Sequence, residues 1–166
     1  MLYTSAEAAK LLRRLNDDKT SLESQEAQSS TFRAAITEDL DNARPPYNYS
    51  QTQSDIDSLE AKIRTVKHAI NSFNLSQEVP GFSMTIDQML VYIPQLTRKK
   101  AKLANMAARL PKTREIIRVA GIIEYSYTNY DVEAAKRDYE RVSDELARAQ
   151  TALDVLNNSI KFEINV

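Results

Sequence analysis

Cysteine and tryptophan are absent from the 166 residues, and glycine occurs only as Gly81 and Gly121. Without cysteine there is no disulfide, no thiolate nucleophile and no thiolate-ligated metal. Without tryptophan, and with few phenylalanines, packing falls to Leu, Ile, Ala and Tyr. The scarcity of glycine leaves few places for sharp bends, so long uninterrupted segments are expected on either side of each one. Neither glycine belongs to a phosphate-cradling GxGxxG or GxxxxGK loop. The single histidine, His68, lies mid-helix between Lys67 and Ala69. It reads as solvent-facing, since a catalytic base needs a nucleophile beside it and zinc needs more ligands.

Long hydrophobic runs are missing too. No apolar stretch approaches the roughly 18 residues that suggest a membrane span. Residues 1–11 (MLYTSAEAAKL) have neither a basic leader nor an apolar stretch of signal-peptide length. A cytoplasmic protein with no membrane partner is expected.

What is present is helical periodicity. A first helix should open near Thr4 or Ser5, with Ser5 as cap and Glu7 in the first turn. Its stripe of Ala8, Leu11, Leu15 and Leu22 fades through SLESQEAQSST. Residues 24–50 are poorly defined: either a long fraying helix or a loop, with Arg44–Ser50 extended around Pro45-Pro46. Ile56, Leu59, Ile63, Val66, Ile70 and Phe73 then alternate steps of three and four, which predicts a helix over 52–73. Asn71 and Asn74 stand at its expected end, where Asn tolerates the left-handed conformation. A loop with a Pro80-Gly81 turn follows.

Thr85 and Gln88 form a capping-box pattern and predict a third helix that runs through Pro94 to Pro111, with a kink at Pro94. From Thr113 to Thr128 the period switches to two. This predicts one strand, or two short strands bent at Gly121, with Tyr125 and Tyr127 on its apolar face. Asp131 caps a fourth helix whose stripe is Ala135, Tyr139, Val142, Leu146, Ala149, Leu153 and Leu156. Ile160, Phe162, Ile164 and Val166 then alternate with polar residues as a terminal strand.

The fold class is therefore mainly α: an antiparallel helical bundle of coiled-coil hairpins with a small β element at about residues 114–128 and 160–166. It forms a single helical domain over residues 1–166. Short connections make the second and third helices a hairpin, and the fourth completes the bundle with the first. The fourth helix should be roughly 39 Å long, which holds its flanking strands apart. A lone strand needs a second edge, so residues 160–166 of one chain are expected to pair with 116–127 of another.

The order of parts resembles a group of small uncharacterised bacterial proteins labelled septicolysin-like. The matching pieces are Asn71-Ser72-Phe73-Asn74, Thr85-Ile86-Asp87-Gln88-Met89-Leu90, Arg118-Val119 leading to Asp131-Val132, and Leu156-Asn157-Asn158 before the tail. This chain departs from that pattern in the longer stretch 121–130 and in Pro94. The resemblance implies an architecture. The label evokes a cytolysin, whereas this sequence has neither a secretion signal nor an amphipathic hairpin suited to a pore.

Charge is the strongest functional signal. The net charge is −1, yet residues 97–118 carry eight basic residues, Arg98, Lys99, Lys100, Lys102, Arg109, Lys112, Arg114 and Arg118, against Glu115 alone. The favoured reading sets Arg98, Lys99, Lys102 and Arg109 against the acidic second and fourth helices within a self-associated assembly. Another joins the basic residues to Tyr125 and Tyr127 as a contact for single-stranded nucleic acid. In the first reading Tyr125, Tyr127 and Tyr139 are packing residues with hydroxyls at the rim.

Asp55, Asp57, Glu60, Asp138, Glu140, Asp144 and Glu145 flank the apolar seams without a Glu-x-x-His pair, so no metal site is expected. Asn71, Asn74 and Thr85 are candidate ligand contacts or structural caps at one end of the expected helical hairpin. No catalytic residue or cofactor is inferred. The leading expectation is a helical scaffold or interaction protein that self-associates as a dimer or higher oligomer. Single-strand binding through 98–118 is the alternative, and an enzyme assembled across an oligomer at Tyr125–Asp131 is the third.

Overall fold

The computed structural model describes residues 1–115 and 123–166. The elements run β1 (Leu2–Thr4), α1 (Ser5–Ser29), α2 (Leu40–Ala43), α3 (Tyr49–Ser76), β2 (Glu78–Val79), β3 (Met84–Thr85), α4 (Ile86–Ala107), β4 (Lys112–Arg114), β5 (Tyr125–Tyr127), α5 (Val132–Ser159) and β6 (Lys161–Glu163). The chain is mainly α with a few short antiparallel strands, as the periodicity predicts. Its contacts cluster into two units, Met1–Asn74 with Asn157–Val166, and Leu75–Leu156.

In the first unit, α1 is capped by Thr4 rather than by Ser5. The Thr4 hydroxyl accepts from the Glu7 N–H at 3.2 Å, and the Glu7 carboxylate accepts from the Thr4 N–H at 2.8 Å. Only Thr4 stands three residues before a glutamate that can return the bond. Past the point where its apolar stripe fades, α1 continues to Ser29. Thr20 and Ser24 donate to carbonyls one turn back, and Lys19 reaches Glu60 on α3 at 2.6 Å. Further along, Glu26 accepts from Tyr47 and from Gln53. The helix thus borrows stability from α3 where its own pattern is weakest.

Ala8, Leu15, Ile63, Val66 and Ile164 form the core of this unit, with Tyr3, Leu11, Leu59, Ile70 and Phe162 packed against it. The last turns of α3 hold because buried Phe73 stacks on Phe162, ring centres 4.4 Å apart. That contact carries α3 past Asn71 and Asn74 to Ser76, so neither asparagine ends the helix as expected. Among the described residues the left-handed positions are Gly81 and Ser83, in the turn joining β2 to β3.

The terminal strand finds its partner inside the chain. β6 pairs antiparallel with β1 in the register Leu2↔Glu163, Tyr3↔Phe162 and Thr4↔Lys161. The Met1 ammonium donates to the Ile164 carbonyl at 3.0 Å, and the Ile164 N–H donates to the Met1 carbonyl at 2.9 Å. The expected pairing of 160–166 with 116–127 of a second chain is therefore replaced by an intramolecular ladder. The unpaired edge that called for a second chain is filled by residues 2–4, a run too short to show a period.

In the second unit, α4 and α5 run antiparallel. Tyr92 donates to Glu145, the Lys100 ammonium stands 5.9 Å from the centre of the Tyr139 ring, and Tyr130 donates to the Met106 carbonyl. As the contacts move forward along α4, from Tyr92 to Lys100 to Met106, their partners move back, from Glu145 and Tyr139 on α5 to Tyr130 just before it. Within the units, side chains of α1 meet α3 and side chains of α4 meet α5. Ile86, Met89 and Leu96 are buried on α4. On α5 the predicted stripe is buried from Ala135 to Leu156, except for half-buried Tyr139. Pro94 lies inside α4 as predicted, and because it and Leu90 are exposed, the Leu90 carbonyl that loses its N–H partner has access to water.

Candidate functional site

The basic segment begins on α4 and ends in a small ladder. At the end of α4 the Ala108 N–H donates back to Ala104, and Pro111 has no N–H with which to continue the helix. The chain then enters β4, which pairs antiparallel with β5 in the register Lys112↔Tyr127, Thr113↔Ser126 and Arg114↔Tyr125. Of the two predicted forms, one strand or two short ones, two strands are present. The stretch 116–122, with Arg118 and Gly121, lies outside the described residues.

Three bonds order the chain between the ladder and the helix ends. The Thr128 N–H donates to the Pro111 carbonyl at 3.2 Å, Tyr130 donates to the Met106 carbonyl at 2.9 Å, and Asp131 accepts from the Glu133 N–H at 2.9 Å, capping α5 as predicted. The ladder is therefore seated on rigid elements.

Cross-strand partners share a face, and so do residues two apart on a strand. The register therefore places Lys112, Arg114, Tyr125 and Tyr127 on one face and Thr113 and Ser126 on the other. By the same alternation Glu115 and Glu124, joined by a backbone bond of 2.9 Å, follow the Thr113–Ser126 face. Cations and aromatic rings are sorted from carboxylates. The Lys112 ammonium lies 4.0 Å from the centre of the Tyr125 ring and 5.4 Å from that of Tyr127. Tyr125 is 42% exposed and Tyr127 64%. They do not serve as core packing residues, because this face of the two-stranded ladder is open to solvent.

Arg98, Lys99, Lys102, Arg109, Lys112 and Arg114 are all exposed. Among the described residues none of them has an ion-pair partner. Within the single chain, then, acidic helix flanks do not form ion pairs with Arg98, Lys99, Lys102 or Arg109 among the described residues. Three acids of the α5 region pair locally: Glu133 with Lys136, Asp131 with Arg137 and Asp138 with Arg141. The Asp138 carboxyl is held below its ordinary range first by the Arg141 hydrogen bond, with Lys99 adding only a weaker Coulombic pull.

Arg109 lines two shallow cavities where ladder meets helices. One, of about 450 Å³, is bordered by Pro111, Tyr130, Asp131 and Lys136, and the other, of about 390 Å³, by Thr113, Glu115, Ser126 and Tyr127. Asp131 and Lys136 carry no sequence signal for such a place beyond capping and helix-surface charge. Thr85 caps α4 through a reciprocal pair with Gln88. Asn71 is exposed and Asn74 half-buried within α3. His68 is exposed in mid α3, and among the described residues no group of three or more His, Cys, Asp or Glu could hold a metal ion. No helix of the described residues is long and apolar enough to cross a membrane.

No family model and no curated protein matches the chain. Among solved structures, it is similar to the crystal structure of a functionally unknown conserved protein from Corynebacterium diphtheriae. That likeness covers 98% of this chain and 100% of the other, with a TM-score of 0.61 and 15% identity, and it concerns the fold alone.

Proposed function

We propose that this protein is a helical scaffold or interaction protein that meets an anionic partner at the ladder end of its second unit. The observation carrying this reading is the row of exposed, unpaired cations from Arg98 to Arg114, beside acids that pair with their own neighbours. A charge left free of local partners is available to a foreign one, and a cluster of one sign concentrates the field. With a sequence pI near 5.9, the whole protein carries a slight negative charge at neutral pH. Retention on a cation-exchange matrix at pH 7 therefore reports a local patch rather than net charge. The expected result is retention that is lost in a Lys102→Ala, Arg114→Ala double variant; flow-through of the parent protein would count against the reading.

Self-association is a second reading, favoured by Leu90 and Val91, which stand side by side on α4 at 50% and 58% exposure. Sedimentation velocity checks it: a dimer or higher species that Leu90→Glu dissociates supports it, and a monomer in the parent removes it. Membership of the septicolysin-like group and a cytoplasmic setting belong to the same proposal. Both rest on the residues quoted above and supply no activity.

A further inference from the structure

We propose that the partner is single-stranded nucleic acid, held by phosphates along Arg98, Lys102, Arg109, Lys112 and Arg114 and by a base stacked on Tyr127. The inference rests on the anionic-partner reading above and adds the chemistry of the ligand.

Arg98 and Lys102 lie four residues apart on α4, so they are neighbours along one helix face. Arg109 follows just past the helix end, and Lys112 and Arg114 continue on the aromatic face of the ladder. The last two cations thus meet two exposed rings across the ladder. Phosphates alone would need only the cations. The rings add a flat apolar surface beside them, which every unpaired base can use and which bases stacked inside a duplex cannot. Lys112, with its ammonium 4.0 Å from the Tyr125 ring centre and 5.4 Å from that of Tyr127, sets a positive charge beside the more exposed Tyr127 ring. By strand alternation Glu115 and Glu124 fall on the opposite face from Lys112 and Arg114, although Glu115 shares the border of the 390 Å³ cavity with Arg109 and Tyr127.

An acidic peptide would also be drawn to the cations, but it brings no base to Tyr127. The two ligands therefore separate on the role of the ring. The test is fluorescence anisotropy of the full chain with labelled oligothymidylate and oligouridylate of about 15 nucleotides, a duplex of equal length, and polyglutamate. Neutralising five phosphates predicts a log–log salt slope near −3.5, or about a hundredfold weaker binding between 50 and 200 mM salt. Tyr127→Ala should weaken the single strands by roughly 5- to 150-fold with the slope unchanged, while Tyr127→Phe keeps them. Arg98→Ala and Lys102→Ala should each reduce the slope by about 0.7. Comparison of the thymidylate and uridylate arms assigns DNA or RNA. Duplex or polyglutamate binding as tightly as the single strands, or an inert Tyr127→Ala, would overturn the inference and leave the anionic-partner reading standing. Failure of every ligand at 50 mM salt would remove both.

Discussion

Lys112 stands directly opposite Tyr127 across the β4–β5 ladder, yet its ammonium lies closer to the Tyr125 ring, 4.0 Å against 5.4 Å. The lysine leans diagonally across the strand and brings its ammonium near both rings while Tyr127 stays 64% exposed, as long side chains on one face can. All three residues are exposed, so the contact is worth no more than about 1 kcal/mol to stability. Lys112→Gln should shift the urea midpoint by that little while changing the near-UV circular dichroism of the tyrosines. A loss of several kcal/mol would mean that the ladder is a folding element rather than a surface one.

Thr4 is buried and makes both halves of a capping box with Glu7. Thr4→Ala should cost about 1 kcal/mol, and Thr4→Ser, which keeps the hydroxyl, a small part of that. Ser5→Ala should cost nothing comparable, because the buried Ser5 hydroxyl has no partner among the described residues. Urea denaturation of the three variants decides whether Thr4 or Ser5 caps α1.

Ile164 is 1% exposed and follows the strand that ties the two chain ends together. Ile164→Ala removes buried methyl groups beside Ala8, Leu15, Ile63 and Val66, and should cost about 2–5 kcal/mol. Hydrogen exchange at the Ile164 and Tyr3 amides should quicken along with it. Unchanged protection would contradict the β1–β6 pairing.

Three carboxyls are held below their ordinary values in the folded state: Glu7 chiefly by the Thr4 backbone bond, Glu60 by the Lys19 hydrogen bond, and Asp138 by the Arg141 hydrogen bond. Each supports folding fully above its unfolded value, 4.5 for the glutamates and 3.8 for the aspartate, and loses that support as pH falls through the lowered folded value. In that window the unfolded chain binds the proton first. Stability should be flat from pH 7 to about 5 and fall below about 4.5. Glu60→Gln should make the acid limb shallower, and added salt should do so too because the pairs are exposed. An acid limb identical in Glu60→Gln and parent would exclude this assignment.

Tyr47 donates to the Glu26 carboxylate at 2.6 Å, and its ionisation is pushed up to about 12 chiefly by that bond. Loss of its proton would set two negative charges together. Its contribution is present below the ordinary value of 10.0 and is lost as pH rises through about 12. In a phenolate absorbance titration Tyr47→Phe should remove amplitude from the latest step. Removal from the main step instead would show that the bond is absent in solution.

Helical segments were legible wherever the apolar stripe was strong. The stripe from Ala135 to Leu156 on α5 and the Thr85–Gln88 cap of α4 needed only local pattern. Where the stripe faded, as after Leu22 on α1, the helix depends on Lys19 meeting Glu60 and Glu26 meeting Tyr47, partners some twenty to forty residues away. The overrun at Asn71 and Asn74 has the same origin, since Phe162 secures Phe73 from the far end of the chain. For the candidate site, the composition of the patch was visible, but its exposure was not. Arg98 and Lys102 beside acidic helices read more readily as paired than as free, because opposite charges flanking apolar seams commonly set helix pairing.

By itself, the sequence determined the helical class, the Thr85 and Asp131 caps, the exclusion of thiol chemistry and the clustering of charge between Arg98 and Arg114, because composition and short-range periodicity set these. Tertiary structure alone decided that residues 2–4 pair with 161–163, that α4 partners α5, and that Lys112, Arg114, Tyr125 and Tyr127 share a face. Strand pairing joins residues far apart in the chain, and a slip of one residue in the β4–β5 register would turn β5's side chains to the opposite face. No local pattern in so short a ladder specifies that choice.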